Sequence, residues 1–191
     1  ERSIFDMAKG SLNRSFSNSE SVIAKSLKAI EAASLQKDGL TGVASGFYEL
    51  DKLTGGWQSP DLIIVAARPG MGKTAFTLAV ARNAALDFGK GVAFFSLEMG
   101  EVQLGNRLLS MEAEVEGSKI RSGKMDQHEW QQLHGAAEKL SGIPIFIDDT
   151  PGISLFELRG KARRLKMQED IGLVIIDYLQ LMTMTGENKT M

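Results

Sequence analysis

The run from Leu62 to Thr74, LIIVAARPGMGKT, decides the fold. Its first five residues, Leu62 to Ala66, are wholly apolar, as a strand buried on both faces requires. The next eight, Ala67 to Thr74, lead into an Ala-rich helical stretch, Thr74 to Phe88, that ends at Gly89. Strand, glycine loop and helix in that order form the setting of the phosphate-binding pattern G-x-x-x-x-G-K-[ST]. Gly72, Lys73 and Thr74 match it, and Ala67 stands where the first Gly belongs. The alternative is an ordinary glycine-containing loop with an exposed lysine. Three key residues in the right setting weigh against it.

The residue types suit phosphate chemistry. Glycines let backbone N–H groups wrap an anion, and the helix N-terminus adds positive dipole. Lys73 reaches the β- and γ-phosphates, and the Thr74 hydroxyl ligates Mg²⁺. The residues offered to the nucleotide are Arg68, Pro69, Gly70, Met71, Gly72, Lys73, Thr74 and Ala75. Leu173 to Ile176 (LVII) is another apolar strand, and Asp177 closes it. In parallel α/β sheets ligands bind at the carboxyl ends of strands. Asp177 is therefore the second Mg²⁺ residue. Alone it would read as a turn or cap aspartate.

Working outward, strands and helices alternate. Val92 to Ser96 (VAFFS) and Ile143 to Ile147 (IPIFI) read as strands. Glu101 to Met111, Asp126 to Leu140 and Leu155 to Lys166 read as helices. Trp130, Leu133, Ala137 and Leu140 mark one apolar face. Leu155, Leu158, Ala162 and Leu165 mark another. Asp126 and Glu129 fit a capping box. This alternation predicts an α/β fold, a mostly parallel sheet flanked by helices. Upstream, Glu1 to Ala8 reads as a short helix and Gly10 to Ser19 as a Ser/Asn-rich linker. Glu20 to Leu35 reads as a helix capped by Ser19, with Val22, Ile23, Leu27 and Ile30 at 3–4 spacing. Lys37 to Gly46 reads as loop. The domain expectation is a helical linker over 1–17 and the phosphate-loop α/β core over 18–191.

Hydrolysis also needs a group that orients or deprotonates water. Glu98 follows the VAFFS strand and can lie near a γ-phosphate. Spacing alone does not choose between that role and a surface glutamate at a helix start. Asp148 and Asp149 rival it. Adjacent strand residues point to opposite faces, so at most one faces the nucleotide, and a structural role is the better reading. His128 and His134, six apart, form no metal pattern. The basic run Arg159, Lys161, Arg163, Arg164 and Lys166 reads as a solvated helix face, with phosphate or subunit contact as the alternative. Phe47, Tyr48 and Trp57 read as packing residues.

Composition sets outer bounds. A chain of 191 residues has one-domain length and buries roughly 70% of its unfolded surface. Apolar residues at 43% and charged ones at 24% are globular values. A net charge of −2 argues against a simple polybasic nucleic-acid binder. The absence of Cys excludes disulfides and thiolate metal sites. No apolar run approaches the roughly 18 residues of a membrane span, so no membrane partner is expected.

Several ordered motifs resemble the bacterial replicative DNA helicase (DnaB) family. Thr41-Gly42 with Gly46 to Asp51 (GFYELD) is similar to that family's TG…GF-x-ELD opening. DLIIVAARPGMGKT (61–74), FSLEM (95–99), IDDTP (147–151), RRLK (163–166) and DYLQL (177–181) follow in the family's order. The resemblance covers nearly all of residues 40–182, and FSLEM with DYLQL is far more specific than the phosphate loop alone.

It implies a RecA-like P-loop NTPase core that uses ATP and Mg²⁺ to unwind DNA at the replication fork. Glu98 becomes the base that activates water, beside Lys73 as the other catalytic residue. Gln180 helps sense or relay nucleotide state. Glu1 to Ala8 resembles the linker helix that packs on a neighbour in a ring of six. The implied partners are single-stranded and forked DNA, other copies in a homo-hexamer, primase and a helicase loader, in the cytoplasm at the nucleoid. The chain lacks an initiator Met and stops soon after DYLQL, so it reads as a fragment. The family's arginine finger and DNA-contacting loops do not follow. Because such a finger is worth about 10³–10⁵ in rate, the isolated fragment is expected to bind nucleotide but turn it over weakly or not at all. Two other classes stay open: a recombinase- or clock-type ATPase, disfavoured by FSLEM and DYLQL, and a non-enzymatic assembly or loader-binding module.

Overall fold

The computed structural model describes residues 18–34 and 39–183. Contacts divide the chain into two units, Glu1–Gly39 and Leu40–Met191. The expected helix at Glu1 to Ala8, and most of the linker after it, lie outside the described residues. Within the first unit, α1 (Ser19–Ser34) is helical as expected. Its cap is Asn18 rather than Ser19: the Asn18 Oδ1 accepts from the Ser21 amide at 2.9 Å. Ser19 already lies inside the helix. The apolar residues Val22, Ile23, Leu27 and Ile30 are all exposed.

The second unit is built on a parallel sheet. β1 (Gly91–Ser96) lies at its centre, with β2 (Ile145–Asp148) on one side and β3 (Ile171–Asp177) on the other. Both pairings are parallel, in register from Val92 opposite Ile145 and from Val92 opposite Leu173. Every residue of β1 is buried, as a central strand covered on both faces must be. Alternate side chains go to opposite faces. Val92 and Phe94 pack with Leu78, Ala81 and Leu104. Ala93 and Phe95 pack with Ile153 and Leu158. Full burial of a side chain such as Phe94 contributes about 1.5–3 kcal/mol.

The helices are α2 (Tyr48–Thr54), α3 (Lys73–Arg82), α4 (Glu101–Ala113), α5 (Gly117–Ser122), α6 (Gln127–Leu140) and α7 (Leu155–Gln168). After α3 the chain widens into a π-helical turn over Asn83–Asp87, so the expected span to Phe88 is helical with a change of pitch. The capping box at α6 forms as expected: Asp126 accepts from the Glu129 amide at 2.8 Å, and Glu129 accepts from the Asp126 amide at 3.0 Å.

Further expectations need correction. Tyr48, read as packing, is 75% exposed. Leu62 to Ala66 is not a strand of the sheet. The run makes no ladder with β3, and Leu62, Ile63 and Ile64 are exposed. A cavity of about 1300 Å³ is lined by this run and by β3. Apolar content makes a run fit for a buried strand, but a strand exists only where a neighbour takes its amides and carbonyls. On α6 the packed residue is Ala136 rather than Ala137, and Trp130 is 42% exposed. The stripe therefore runs through Leu133 and Ala136, towards α4. On α7, Leu158 is buried but Leu155 is 62% exposed, so the apolar stripe begins one turn into the helix.

Candidate active site

The loop from Ala67 to Gly72 carries the chain into α3 through two left-handed glycines, Gly70 at φ 77° and Gly72 at φ 88°. A side chain at either position would be strained. Both sit against open space, with nothing within 4 Å of where a Cβ would lie. The ten-residue helix α3 has no side-chain cap at its N-terminus. Its first amides are thus left to a ligand or to water, the arrangement that receives an anion.

Across from the loop, the end of β3 delivers Asp177. This carboxylate is 4% exposed and each oxygen has a partner. Oδ1 lies 2.7 Å from the Lys73 Nζ, and Oδ2 accepts from the Thr74 hydroxyl at 2.6 Å. The next residue, Tyr178, sets its ring under the same ammonium, with the Lys73 Nζ 4.0 Å from the ring centroid. Tyr178 stands inside the DYLQL motif, but nothing in the sequence assigns it a role of its own.

Glu98 sits in the turn after β1. That turn is fastened at several points. The Ser96 hydroxyl donates to the Met99 carbonyl at 2.6 Å, and the Leu97 amide donates to the Asp177 carbonyl at 2.8 Å. The Glu101 amide, at the start of α4, donates to the Asp149 carboxylate at 3.0 Å. Glu98 itself is exposed and lines the cavity shared with Lys73, Thr74 and Asp177.

Asp148 and Asp149 both act structurally. Asp149 caps α4, and Asp148 lies 2.7 Å from Lys161. Burial pushes the Asp148 carboxyl up, but hydrogen bonds from Lys161 and Thr150 outweigh it and hold it below its ordinary 3.8. The same pairing raises Lys161 above 10.5. Lys166 likewise pairs with Asp170 at 3.2 Å and donates to the Ile171 carbonyl at 2.7 Å. Two of the five cations on α7 are therefore tied within the fold.

The GFYELD stretch braces this site from behind. The buried Asp51 accepts from the Ser45 amide, the Ser45 hydroxyl and the Gly46 amide at 2.7–2.9 Å. The Asn83 side chain donates to the Ser45 carbonyl at 3.1 Å, and Phe47 stacks on Phe76 of α3 at 5.2 Å. Gly46 has no room for a Cβ, which would collide with the Asn83 side chain. Phe47 thus packs, as expected. Trp57 bridges to Val43 in a short antiparallel pair and also lines the cavity.

Of the residues offered to the nucleotide, Arg68, Pro69, Gly70, Gly72, Lys73, Thr74 and Gln180 line this one cavity. Met71 and Ala75 are exposed and lie outside its lining. The donor set suits Mg²⁺. Thr74 and Asp177 offer hard oxygen ligands, and among the described residues no group of three or more His, Cys, Asp or Glu could hold a metal by itself. A Mg²⁺ shared between one or two side chains and substrate phosphates needs no larger protein cage.

A parallel sheet with a glycine loop, a lysine–threonine pair and a strand-end aspartate at its carboxyl edge defines a RecA-like P-loop core. The particular family is equally plain. The family described as the DnaB-like helicase C terminal domain matches residues 42–191, and this chain belongs to it. Among curated relatives, the replicative DNA helicase DnaC of Bacillus subtilis (strain 168) is 43% identical over 189 residues, covering 99% of this chain and 42% of that protein. The replicative DNA helicase DnaB of Rhodothermus marinus is 50% identical over 191 residues, covering 95% of this chain and 19% of that protein. The chain thus spans less than half the length of these relatives. A solved structure described as an ATPase domain superposes with a TM-score of 0.82 at 32% identity, covering 92% of this chain and 62% of that one. A DnaB-like replicative helicase, whose structure is described together with its interactions with primase, superposes with a TM-score of 0.77 at 33% identity. The match covers 86% of this chain and 41% of that one. Family membership implies nucleotide use. No helix among the described residues is long and apolar enough to cross a membrane.

Proposed function

We propose that this chain is the nucleotide-handling part of an ATP-driven replicative DNA helicase. One observation carries the reading: Lys73, Thr74 and Asp177, from opposite sides of the site, meet within 2.6–2.7 Å in the cavity that Glu98 also lines. ATP is the substrate. The loop from Arg68 to Thr74 and the free amides of α3 receive its phosphates, with Lys73 on the β- and γ-groups. Thr74 and Asp177 would hold Mg²⁺, which would supply charge neutralisation on those phosphates. Glu98 takes a proton from the attacking water and Gln180 follows the state of the nucleotide.

The relatives' names extend the proposal to replication, and one structural neighbour's description adds primase as a partner. The family resemblance supplies the rest of the proposal: a ring of six on single-stranded and forked DNA, a loader as a further partner, at the nucleoid in the cytoplasm. Residues 1–17 form the linker to a neighbour and 18–191 the ATPase domain. ATP titration of the chain and of Lys73→Ala tests the core claim, with a loss of at least tenfold expected and an unchanged affinity refuting it. Displacement of a strand from forked DNA by the complete gene product separates a motor from a recombinase-type ATPase. Failure to unwind with normal hydrolysis would favour the latter.

A further inference from the structure

Asp177 is fully engaged by Lys73 and Thr74, and both partners are needed elsewhere when a metal-bound triphosphate enters. The phosphates then draw the Lys73 ammonium, and the cation draws the Asp177 carboxylate. The ion pair that positions Lys73 therefore opens at the moment its position matters most. Tyr178 is the partner that need not let go. Its ring face attracts the ammonium through its quadrupole, carries no net charge, and contests neither the phosphates nor the cation. It leaves β3 immediately after Asp177, whose buried carboxylate and fastened backbone fix where the next residue starts.

We propose that Tyr178 is a positioning residue, its ring face holding the Lys73 ammonium over the phosphate loop when the ion pair to Asp177 opens. This rests on the phosphate-loop reading above. It concerns the lysine's placement once Asp177 lets go, a task that FSLEM and the loop leave unassigned.

The test is calorimetric titration with Mg²⁺-ATP and with AMP, which lacks the phosphates that Lys73 reaches. Tyr178→Leu keeps apolar bulk and removes the ring. It is expected to weaken ATP binding about three- to tenfold and to leave AMP unchanged. Tyr178→Phe keeps the ring face and should restore ATP affinity to within twofold. In the Lys73→Ala background, Tyr178→Leu should have no further effect, since the ring acts only through that ammonium. Pentafluorophenylalanine at position 178 keeps the shape and reverses the quadrupole. It gives the same loss as Tyr178→Leu if the ring acts as proposed, and serves should the leucine variant fail to fold. Equal losses of ATP and AMP, a Tyr178→Phe loss as large as that of Tyr178→Leu, or an undiminished effect without Lys73 would each overturn the proposal. If Lys73→Ala itself leaves ATP affinity intact, the phosphate-loop reading falls instead.

Discussion

The Thr74 hydroxyl and the Asp177 carboxylate meet at 2.6 Å across 103 positions of sequence. With Lys73 on the other carboxylate oxygen, the aspartate ties the start of α3 to the end of β3. An aspartate that serves an ion pair and, as proposed, a metal has a charge-dependent signature. Asp177→Asn keeps the shape and can still accept from Thr74, but it no longer attracts a cation. Affinity for ATP in the presence of Mg²⁺ should fall at least tenfold. Affinity in excess EDTA should hold or rise, because a carboxylate that repels phosphate and occupies Lys73 has gone. Equal losses with and without Mg²⁺ would show that Asp177 shapes the loop rather than the metal site.

Glu98 makes a separable prediction. It lies in the turn held by Ser96, Met99 and Asp149, and its carboxylate is exposed to the cavity. Glu98→Gln removes the proposed base without disturbing those bonds. Hydrolysis by the complete gene product should drop at least 10²-fold, the usual weight of a general base. ATP affinity should change by less than twofold. Sustained turnover in this variant would remove Glu98 from the mechanism.

Much of this arrangement is legible in the residues. The β1 and β3 runs, the capping box at Asp126 and the glycine loop each carry a local signal that tertiary packing reinforces. The same logic misreads Leu62 to Ala66. Hydrophobicity reports what a segment tolerates, and pairing is decided by what lies beside it. The role of Asp51 is equally hidden. GFYELD contains nothing catalytic, and only the fold shows a buried carboxylate gathering three donors behind α3. Tyr178 is quoted within DYLQL, but its role escapes because the lysine that meets it comes from a distant segment. Long-range pairs of this kind leave no periodicity to read.

The glycines separate conformation from space. Gly72 has open room around it but sits at φ 88°. Gly72→Ala should therefore cost about 1–2 kcal/mol through left-handed strain alone, and weaken ATP binding as the loop shifts. Gly160, inside α7, also has open room and no positive φ. Gly160→Ala should stabilise by up to about 1 kcal/mol through helix propensity. Thermal unfolding reads both, as shifts of opposite sign and a few degrees each. A stabilising Gly72→Ala would mean that the loop does not need its left-handed turn.

Glu112 of α4 links three segments and gives a pH test. Its side chain is 6% exposed, with the Arg82 guanidinium at 2.7 Å and the Lys139 ammonium at 3.1 Å. Burial pushes the carboxyl up, but hydrogen bonds from Arg82 and Lys139 outweigh it and hold the group below its ordinary 4.5. A folded-state value below the unfolded one contributes stability at pH above about 4.5, and that contribution is lost as pH falls through the folded value. At neutral pH, Glu112→Gln should cost about 1.5–3 kcal/mol, the range of charge-assisted hydrogen bonds. Because Asp148 and other carboxylates also titrate in acid, the informative quantity is the stability difference between the native chain and the variant. That difference should be flat from about pH 7 to 5 and shrink below about 4.5, where protonation makes the native side chain resemble the glutamine. A gap that stays constant into strong acid would mean that packing of the Glu112 stem, and not its charge, holds α4 to Arg82 and α6.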